Sequence, residues 1–366
     1  MAYTTIDDPS AHFQVKLYTG NGNDGQAYTF DGNSDMQPDW LWVKNRSNTG
    51  PYSGNIFDST RGANKGLFPD AGNAQSTNGS YGYLGAFQSD GFTVTSGSSG
   101  DERVNNNNDT YVMWGWKANG GTTTTNDASS TGVGSIDSVY QINSTSKFSI
   151  VTYTGNGSSG ANFAHGLGVA PDFVLTKNLD TERSWLVGHH TIGFGFTAGH
   201  LNSTDDKDED SVYWNNTAPS STVVTLGNNE GGNESGDDFV AYCFTEVQGF
   251  SKFGTYTGNG NADGPFVYLG FKPAFLIIKN MSDANDQWIM WDNKRSPSNP
   301  VDDYLEPSTS AAESANSNWA IIDFVSNGFK LRSNDISYNQ NTYQYIYIAF
   351  AENPFVSSEG VPTTAR

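Results

Sequence analysis

The stretch Tyr-Thr-Gly-Asn-Gly at residues 18–22 occurs again at residues 153–157 and 256–260, so the 366-residue chain repeats itself three times. Asn-Gly pairs favour tight turns in which a residue takes a positive φ. An internal repeat has to be found before any fold is inferred, because it turns one long chain into copies of one unit. Each copy spans about 100 residues, a length that can bury its own apolar core.

A second landmark, Pro-x-x-x-x-x-Lys-Asn, follows each copy and predicts a strand. The strands read Trp-Leu-Trp-Val at residues 40–43, Phe-Val-Leu-Thr at 173–176 and Phe-Leu-Ile-Ile at 275–278. Side chains alternate between the two faces of a strand, and here both faces are mainly apolar in all three copies. Such a strand is covered on both sides, either by a second layer within its own repeat or by a contact between repeats or subunits.

Each repeat ends in an aromatic run, at residues 111–116, 239–244 and 345–350. Aromatic residues make up 13% of the chain, and 41 glycines with many Asn, Ser and Thr separate the aromatic segments. This alternation is typical of short strands joined by tight turns. We therefore predict an all-β fold of three tandem β-sandwich modules, jelly-roll or lectin-like, of about 100 residues each.

The repeats set the predicted domain boundaries. The first module covers residues 1–117, the second 147–248, and the third, with a C-terminal tail, 249–366. Residues 118–146 are rich in Gly, Thr and Ser, which predicts a flexible linker. Only residues 247–250 join the second and third modules, so we expect these two to pack as a rigid pair, while the first pivots or is held by other contacts.

The formal net charge of −20 argues against binding to nucleic acid or to an anionic membrane through charge. No apolar run approaches the ~20 residues of a membrane span, so we expect no membrane insertion. The first residues show neither a basic start nor an apolar segment, so we expect no signal peptide and synthesis in a cytoplasm. The single cysteine, Cys243, excludes an internal disulfide and is predicted to be buried.

The pattern aromatic-Asp-x-x-Arg occurs in two repeats, with Asp58 and Arg61 in the first and Asp292 and Arg295 in the third. The second repeat has a histidine and an isoleucine near the corresponding positions. One interpretation is an ion pair that braces a turn. The other is a set of polar contacts to a ligand beside an exposed aromatic ring.

Three tryptophans are candidates for that exposed ring: Trp185, Trp288 and Trp291. Tryptophan faces stack on sugar rings, and the carboxylates of Asp58 and Asp292 would bind the sugar hydroxyls. Core packing is the alternative interpretation for each tryptophan, since large aromatic residues are mostly buried.

A dense acidic loop offers a candidate calcium site at Asp205, Asp206, Asp208 and Asp210, because calcium prefers oxygen ligands. The order of ligands and Gly found in an EF-hand is missing, so a solvated loop is the alternative. No other cofactor is predicted. The chain shows no nucleophile elbow, phosphate-binding loop or His-Glu-x-x-His, and no acidic position recurs in all three repeats. We therefore predict a non-enzymatic protein, with a polysaccharide depolymerase that uses an unrecognised carboxylate pair as the less favoured alternative.

Five segments, at residues 13–22, 37–45, 89–92, 165–171 and 348–355, resemble repeat-bearing virion structural and tail-fibre proteins of marine and cyanobacterial tailed phages. The resemblance covers nearly the whole chain. It implies a lectin-like β-sandwich and a location on the virion surface after assembly in the host cytoplasm. It implies no catalytic residue.

Two functions fit this resemblance. The first is a tail-fibre or receptor-binding component that recognises host-surface glycans, and the second is a capsid decoration or head-fibre protein with an architectural role. Other virion proteins are the expected partners in both. Virion components are usually symmetric assemblies, so we expect a homo-oligomer, and a trimer if the protein is a tail fibre.

Overall fold

The fold is seen in a computed structural model that describes residues 2–47, 54–77, 79–99, 103–195, 197, 199–315 and 319–364. The described chain is nearly all-β and its sheets are antiparallel, which confirms the predicted fold class. Its α-helices are single turns: α1 (Ala128–Thr131), α2 (Ser211–Trp214), α3 (Glu230–Asn233) and α4 (Ile336–Asn339). Two 3-10 turns lie at Pro9–Ala11 and Gly79–Tyr81.

The first repeat forms two sheets. Its strands are β1 (Phe13–Thr19), β2 (Gln26–Tyr28), β3 (Trp40–Asn45), β4 (Asn55–Asp58), β5 (Tyr83–Gln88), β6 (Gly91–Thr95) and β7 (Thr110–Trp116). The main sheet has the order β1-β7-β3-β4, and the small sheet has the order β2-β6-β5.

The second repeat has the same central order with two strands added at one edge. The strands are β8 (Thr124–Asn126), β9 (Ser138–Asn143), β10 (Phe148–Thr154), β11 (Asn162–Ala164), β12 (Phe173–Asn178), β13 (Leu186–His189), β14 (Val223–Thr225) and β15 (Asp238–Phe244). The main sheet has the order β13-β12-β15-β10-β9-β8, and the small sheet pairs β11 with β14.

The third repeat returns to a main sheet of four strands. Its strands are β16 (Ser251–Thr257), β17 (Phe266–Tyr268), β18 (Phe271–Asn280), β19 (Ile289–Asp292), β20 (Asp303–Tyr304), β21 (Ser314–Ala315), β22 (Ile322–Val325), β23 (Gly328–Leu331) and β24 (Gln344–Pro354). The main sheet has the order β16-β24-β18-β19, the small sheet has the order β17-β23-β22, and β20 pairs with β21.

The recurring Tyr-Thr-Gly-Asn-Gly motif lies at the end of β1, β10 and β16, and its Tyr-Thr pair forms the last two residues of each strand. In the first repeat the Tyr18 hydroxyl donates to the carbonyl of Val104 over 2.8 Å. A Cβ at Gly20 would lie 2.1 Å from the carbonyl oxygen of Asn106, and Gly22 has a φ of +68°. Only glycine fits both positions without strain. The motif therefore recurs because the same close turn is built three times.

The two faces of each main sheet are buried against different partners. In the first repeat, Leu41 and Val43 pack with Phe92 in a core inside the repeat. Trp40 and Trp42, on the opposite face, belong to a core to which all three repeats contribute. The strand after the proline is thus covered on both sides, once within its repeat and once between repeats. Cys243 is fully buried in the internal core of the second repeat, as predicted.

Aromatic rings join the three repeats in the shared core. The ring centroids of Trp40 and Tyr242 are 4.7 Å apart, which links the first repeat to the second. Phe350 links the third repeat to both others, with centroids 5.4 Å from Phe13 and 5.6 Å from Phe244. The first repeat is therefore packed against the other two, and it has no freedom to pivot about a tether.

The expectation of a flexible linker at residues 118–146 is wrong. This segment forms β8, α1 and β9, and β9 pairs antiparallel with β10 at the edge of the second main sheet. Its start is fixed by the buried carboxylate of Asp39, which accepts the amides of Ala118, Gly120 and Gly121 over 2.7–3.0 Å. Backbone pairing and a buried carboxylate hold in place a sequence that is flexible by composition alone.

We expect the shared core to make unfolding cooperative across all three repeats. Trp40→Ala removes a ring at the contact between two repeats and should lower the free energy of unfolding by about 3–5 kcal/mol. Urea denaturation followed by tryptophan fluorescence and far-ultraviolet circular dichroism measures this. Val361→Ala, at a side chain that is 62% exposed, is the control and should change stability by less than about 0.5 kcal/mol. Separate transitions for the three repeats in the wild type would contradict the expectation.

Candidate functional site

The three tryptophans predicted as exposed sugar platforms are buried, so that prediction is wrong. Trp185, Trp288 and Trp291 are each at most 1% exposed. The Trp185 indole donates to the carbonyl of Phe68 in the first repeat, and the Trp288 indole to that of His200 in the second. Trp185 and Trp288 directly precede β13 and β19, and Trp291 lies within β19. Trp185 and Trp288 are buried in the core shared between repeats, and Trp291 is buried in the internal core of the third repeat.

The first Asp-x-x-Arg pair is buried at the junction between the first and second repeats. Asp58 accepts from the Arg61 guanidinium and, over 2.7 Å, from the hydroxyl of Tyr242 in the second repeat. Arg61 also donates to Gln75 over 2.9 Å and to the carbonyl of Lys65 over 3.1 Å. Asp58 is fully buried, while Arg61, whose guanidinium binds these protein partners, also lines a surface groove of about 390 Å³ between the two repeats.

The second pair occupies the same place at the junction between the third and first repeats. Asp292 accepts from the Arg295 guanidinium and, over 3.1 Å, from the indole of Trp114 in the first repeat. Arg295 also donates to Glu313 over 3.3 Å. Both pairs therefore brace a turn, as the first interpretation has it, and both also connect two repeats.

The remaining junction, between the second and third repeats, carries a different set. His189 lies opposite Phe173, as Asp58 lies opposite Trp40 in the first repeat. Burial lowers the pKa of His189 to about 3, so its ring is neutral. The third repeat has Ile348 where the second has Tyr242, and isoleucine has no group to donate to a carboxylate.

The three junctions thus follow one rule. A buried Asp–Arg pair is present where the facing side chain, Tyr242 or Trp114, donates a hydrogen bond to the carboxylate. Where the facing side chain is Ile348, a neutral histidine replaces the aspartate and Ile192 lies near the position of the arginine. A buried carboxylate is stable only when it is paired and hydrogen-bonded, so these positions have to change together.

This rule predicts the result of exchanging one junction for another. His189→Asp alone buries a carboxylate without a cation and should lower the free energy of unfolding by about 3 kcal/mol or more. Adding Ile192→Arg and Ile348→Tyr should recover at least about 1 kcal/mol of that loss, measured by urea denaturation. A triple variant no more stable than the single variant would refute the rule.

The lysine of each Pro-x-x-x-x-x-Lys-Asn segment also crosses a junction. Each ammonium group donates to a backbone carbonyl of a neighbouring repeat: Lys44 to Thr309, Lys177 to Gly72 and Lys279 to Thr204. The adjacent asparagine caps the end of the strand, and Asn45 accepts the amide of Ser47 over 3.0 Å. The Lys-Asn dipeptide recurs because each repeat needs the same interrepeat bond and the same turn.

Burial lowers the pKa of all three lysines, to about 7 for Lys177 and to about 8 for Lys44 and Lys279. An unfolded lysine keeps its proton up to a pKa near 10.5. Between about pH 7 and pH 10 the unfolded chain therefore binds more protons than the folded chain at these positions. Where the unfolded chain binds more protons than the folded chain, the free energy of unfolding rises with pH.

Lys177→Met should remove one such contribution. The stability of the wild type relative to this variant should rise by up to about 1.4 kcal/mol per pH unit between pH 7.5 and pH 10. Chemical denaturation at a series of pH values measures the difference. The same comparison with Val361→Met, which changes no titratable group at an exposed position, should give a flat line, and a flat line for Lys177→Met would contradict the assignment.

The predicted calcium ligands are Asp205, Asp206, Asp208 and Asp210. Three of them bind protein groups: Asp205 the ring of His200, Asp208 the hydroxyl of Tyr213, and Asp210 the amide of Val212 at the start of α2. In the described ranges, no three His, Cys, Asp or Glu side chains come together as ligands of a metal ion. Calcium binding here stays a prediction without support from the geometry.

A surface groove of about 580 Å³ lies between the second and third repeats. Phe266 and Tyr268, on alternate positions of β17, line it and are 47% and 48% exposed. Among the described residues they are the large aromatic side chains that remain exposed. The groove therefore offers the aromatic surface that the buried tryptophans do not.

Polar groups surround these two rings. The Lys252 ammonium lies 5.5 Å from the centroid of the Tyr268 ring, and the exposed Thr255 lines the same groove. His190 and Glu246 close one end, where they bind the carbonyl and amide of Phe253 over 2.6 and 2.8 Å. Burial raises the pKa of Glu246, and the nearby Asp172 adds to the effect. Aromatic faces beside hydroxyl, cationic and carboxylate groups suit a polar ligand with apolar faces.

Neither Phe266 nor Tyr268 was among the binding residues predicted from the sequence. They lie in a short segment, Pro-Phe-Val-Tyr-Leu at residues 265–269, whose alternation of side chains was the available signal. The aromatic residues predicted from the sequence were tryptophans, and all three of them are buried.

A known family matches most of this chain. The family described as Domain of unknown function (DUF7483) matches residues 8–354. The chain belongs to this family. No curated protein and no solved structure matches it. No helix within the described ranges is long and apolar enough to cross a membrane.

Proposed function

We propose that this member of the DUF7483 family is a non-enzymatic virion surface protein, a tail-fibre or receptor-binding component that recognises host-surface glycans. The observation that carries the proposal is the exposed pair Phe266 and Tyr268 in the groove between the second and third repeats. The place on a virion comes from the sequence resemblance to phage structural proteins.

The groove matches the chemistry of a sugar chain. A pyranose ring has apolar C–H faces, which stack on aromatic rings, and hydroxyl groups at its rim, which need donors and acceptors. Phe266 and Tyr268 supply the faces. Thr255, Lys252 and Glu246 line the same groove and supply the polar partners. The ammonium of Lys252 near the Tyr268 ring favours glycans that carry carboxylate or sulfate groups.

Loss of the two rings should weaken glycan binding. We expect each of Phe266→Ala and Tyr268→Ala to reduce affinity by about 10-fold, because one aromatic contact contributes about 0.5–1.5 kcal/mol beyond the area it buries. Glycan arrays and binding to whole host cells measure the effect, with Val361→Ala as an exposed control that should bind normally. Wild-type protein that binds neither glycans nor cells would overturn the proposal.

The same incubation tests the depolymerase alternative, since a binding protein releases no reducing ends from host polysaccharide. Release of reducing ends by the wild type would assign an activity and contradict the non-enzymatic proposal.

Capsid decoration is the second candidate, and one observation favours it. The three repeats contact one another in a closed ring within a single chain, through Trp40 with Tyr242 and through Phe350 with Phe13 and Phe244. A body of this form matches a threefold position of a capsid lattice. Cryo-electron microscopy of the particle decides between the two, since density on the capsid favours decoration and density at the tail tip favours receptor binding.

A further inference from the structure

The strand that ends in the Tyr-Thr-Gly-Asn-Gly motif lies at an edge of each main sheet unless residues from elsewhere cover it. These strands are β1, β10 and β16. In the second repeat β9 covers β10, and β8 then covers β9. The two added strands come from residues 118–146, a segment that has no counterpart before the third repeat, where only residues 247–250 intervene. Strands β1 and β16 remain at the edge of their sheets.

The direction of the backbone groups in β1 follows from the bonds at its ends. The carbonyl of His12 accepts from the amide of Lys117 over 3.0 Å, and the amide of Gly20 donates to the carbonyl of Asp109 over 2.8 Å. The backbone N–H and C=O groups of the even-numbered residues therefore point toward β7. Odd-numbered residues, including Val15 and Leu17, turn their N–H and C=O groups away from the sheet, because these groups alternate along an antiparallel strand.

The chain satisfies the corresponding outward groups in the other two repeats. Ile150 of β10 pairs with Gln141 of β9. Phe253 of β16 receives the carboxylate of Glu246 at its amide and the ring of His190 at its carbonyl. Across the described ranges, no hydrogen bond reaches the outward backbone groups of Val15, although this residue is only 4% exposed. Backbone groups at so buried a position are normally paired.

A groove of about 310 Å³ runs along this edge. Residues 31–33 of the first repeat form one wall, and residues 293–294 and 351–353 of the third repeat form the other. The groove therefore lies at the junction of two repeats. It occupies the place beside β1 that β9 occupies beside β10 in the second repeat.

The side-chain contacts of β9 show what an added strand meets at such a junction. Gln141 donates to the hydroxyls of Ser59 and Thr60 in the neighbouring repeat, over 2.8 and 2.6 Å. Ser59 is the first residue after β4, and Asn293 is the first residue after β19. A strand on β1 would therefore present the side chain opposite Val15 to Asn293 and Lys294, the counterparts of Ser59 and Thr60. The carboxylates of Asp31 and Glu352 line the same groove, where Asp31 accepts from Lys294 and Glu352 accepts from Asn293, each over 2.7 Å.

We propose that the edge of β1 is a docking site for an extended segment of a different polypeptide, which adds to the sheet antiparallel to β1. Strand addition is a general mode of recognition in which the backbone supplies affinity and alternate side chains supply specificity. The occupant carries a basic or amide side chain opposite Val15. A net charge of −20 disfavours a second copy of this chain and favours a partner segment with positive charge.

The test uses the full chain and a fluorescent peptide of residues 136–145 in which Gln141→Lys supplies the basic side chain. We expect saturable binding of one peptide per chain by fluorescence anisotropy. Leu17→Pro removes one outward N–H that β7 does not use, and should weaken binding at least about 10-fold. Thr255→Pro is the matched control, at the corresponding position of β16, and should leave binding unchanged.

A second variant and a cross-link keep the test decisive if Leu17→Pro fails to fold. Asn33→Trp places a large side chain in the groove at an exposed position and should also prevent binding. Val151 lies opposite Tyr140 in the pairing of β10 with β9, and Lys16 corresponds to Val151. Chain with Lys16→Cys should therefore form a disulfide with peptide carrying Tyr140→Cys, and much less with peptide carrying Val139→Cys.

Three outcomes would overturn the proposal. The first is no binding of the peptide, and the second is binding that neither Leu17→Pro nor Asn33→Trp changes. The third is a dimer of the full chain that Leu17→Pro converts to a monomer, since a second copy would then be the occupant. Tyr268→Ala should leave peptide binding unchanged, so this test is independent of the glycan proposal.

Discussion

The packing of three apolar sheet faces against one another is the constraint on which this structure depends. Each main sheet would expose a row of large aromatic and aliphatic side chains if its repeat stood alone. Burial of such a surface contributes about 25 cal/mol per Å², far more than any polar contact at the rim. Trp40, Phe244 and Phe350 meet in this core from three different repeats. The small sheet of each repeat then has only the opposite face to cover.

Polar groups at the junctions set the relative positions of the repeats. An apolar core tolerates small shifts, but a buried carboxylate does not, because it has to keep each of its donors. Asp58 with Tyr242 and Asp292 with Trp114 fix two junctions in this way. Lys177 adds a bond from its ammonium to the carbonyl of Gly72. The junction with His189 lacks a buried Asp–Arg pair and relies on packing, on the bond from Lys279 to Thr204, and on the bonds of His190 and Glu246 to the backbone of Phe253.

Much of the fold could be predicted from the sequence, since strand patterns and turn residues are local. The doubly apolar strands at residues 40–43 and 173–176 correctly indicated cover on both faces. The prediction of a linker at residues 118–146 was wrong, because it rested on composition. A partner that orders this segment, Asp39, is distant in sequence. The prediction of exposed tryptophans was wrong for a related reason. Whether Trp185 is exposed depends on Phe68 in another repeat, and no local pattern reports that contact.

Joining the three repeats in one chain has a consequence that a trimer of identical subunits lacks. In such a trimer every substitution appears at all three interfaces at once, so a junction cannot change without its two copies changing with it. Here the genetic linkage of unequal copies releases that restriction. One interface has a neutral histidine in place of the Asp–Arg pair. The edge of one main sheet is extended by two strands of the chain itself, and the edge of another is left uncovered. Covalent fusion thus lets a nearly symmetric body differ in structure from one side to the next.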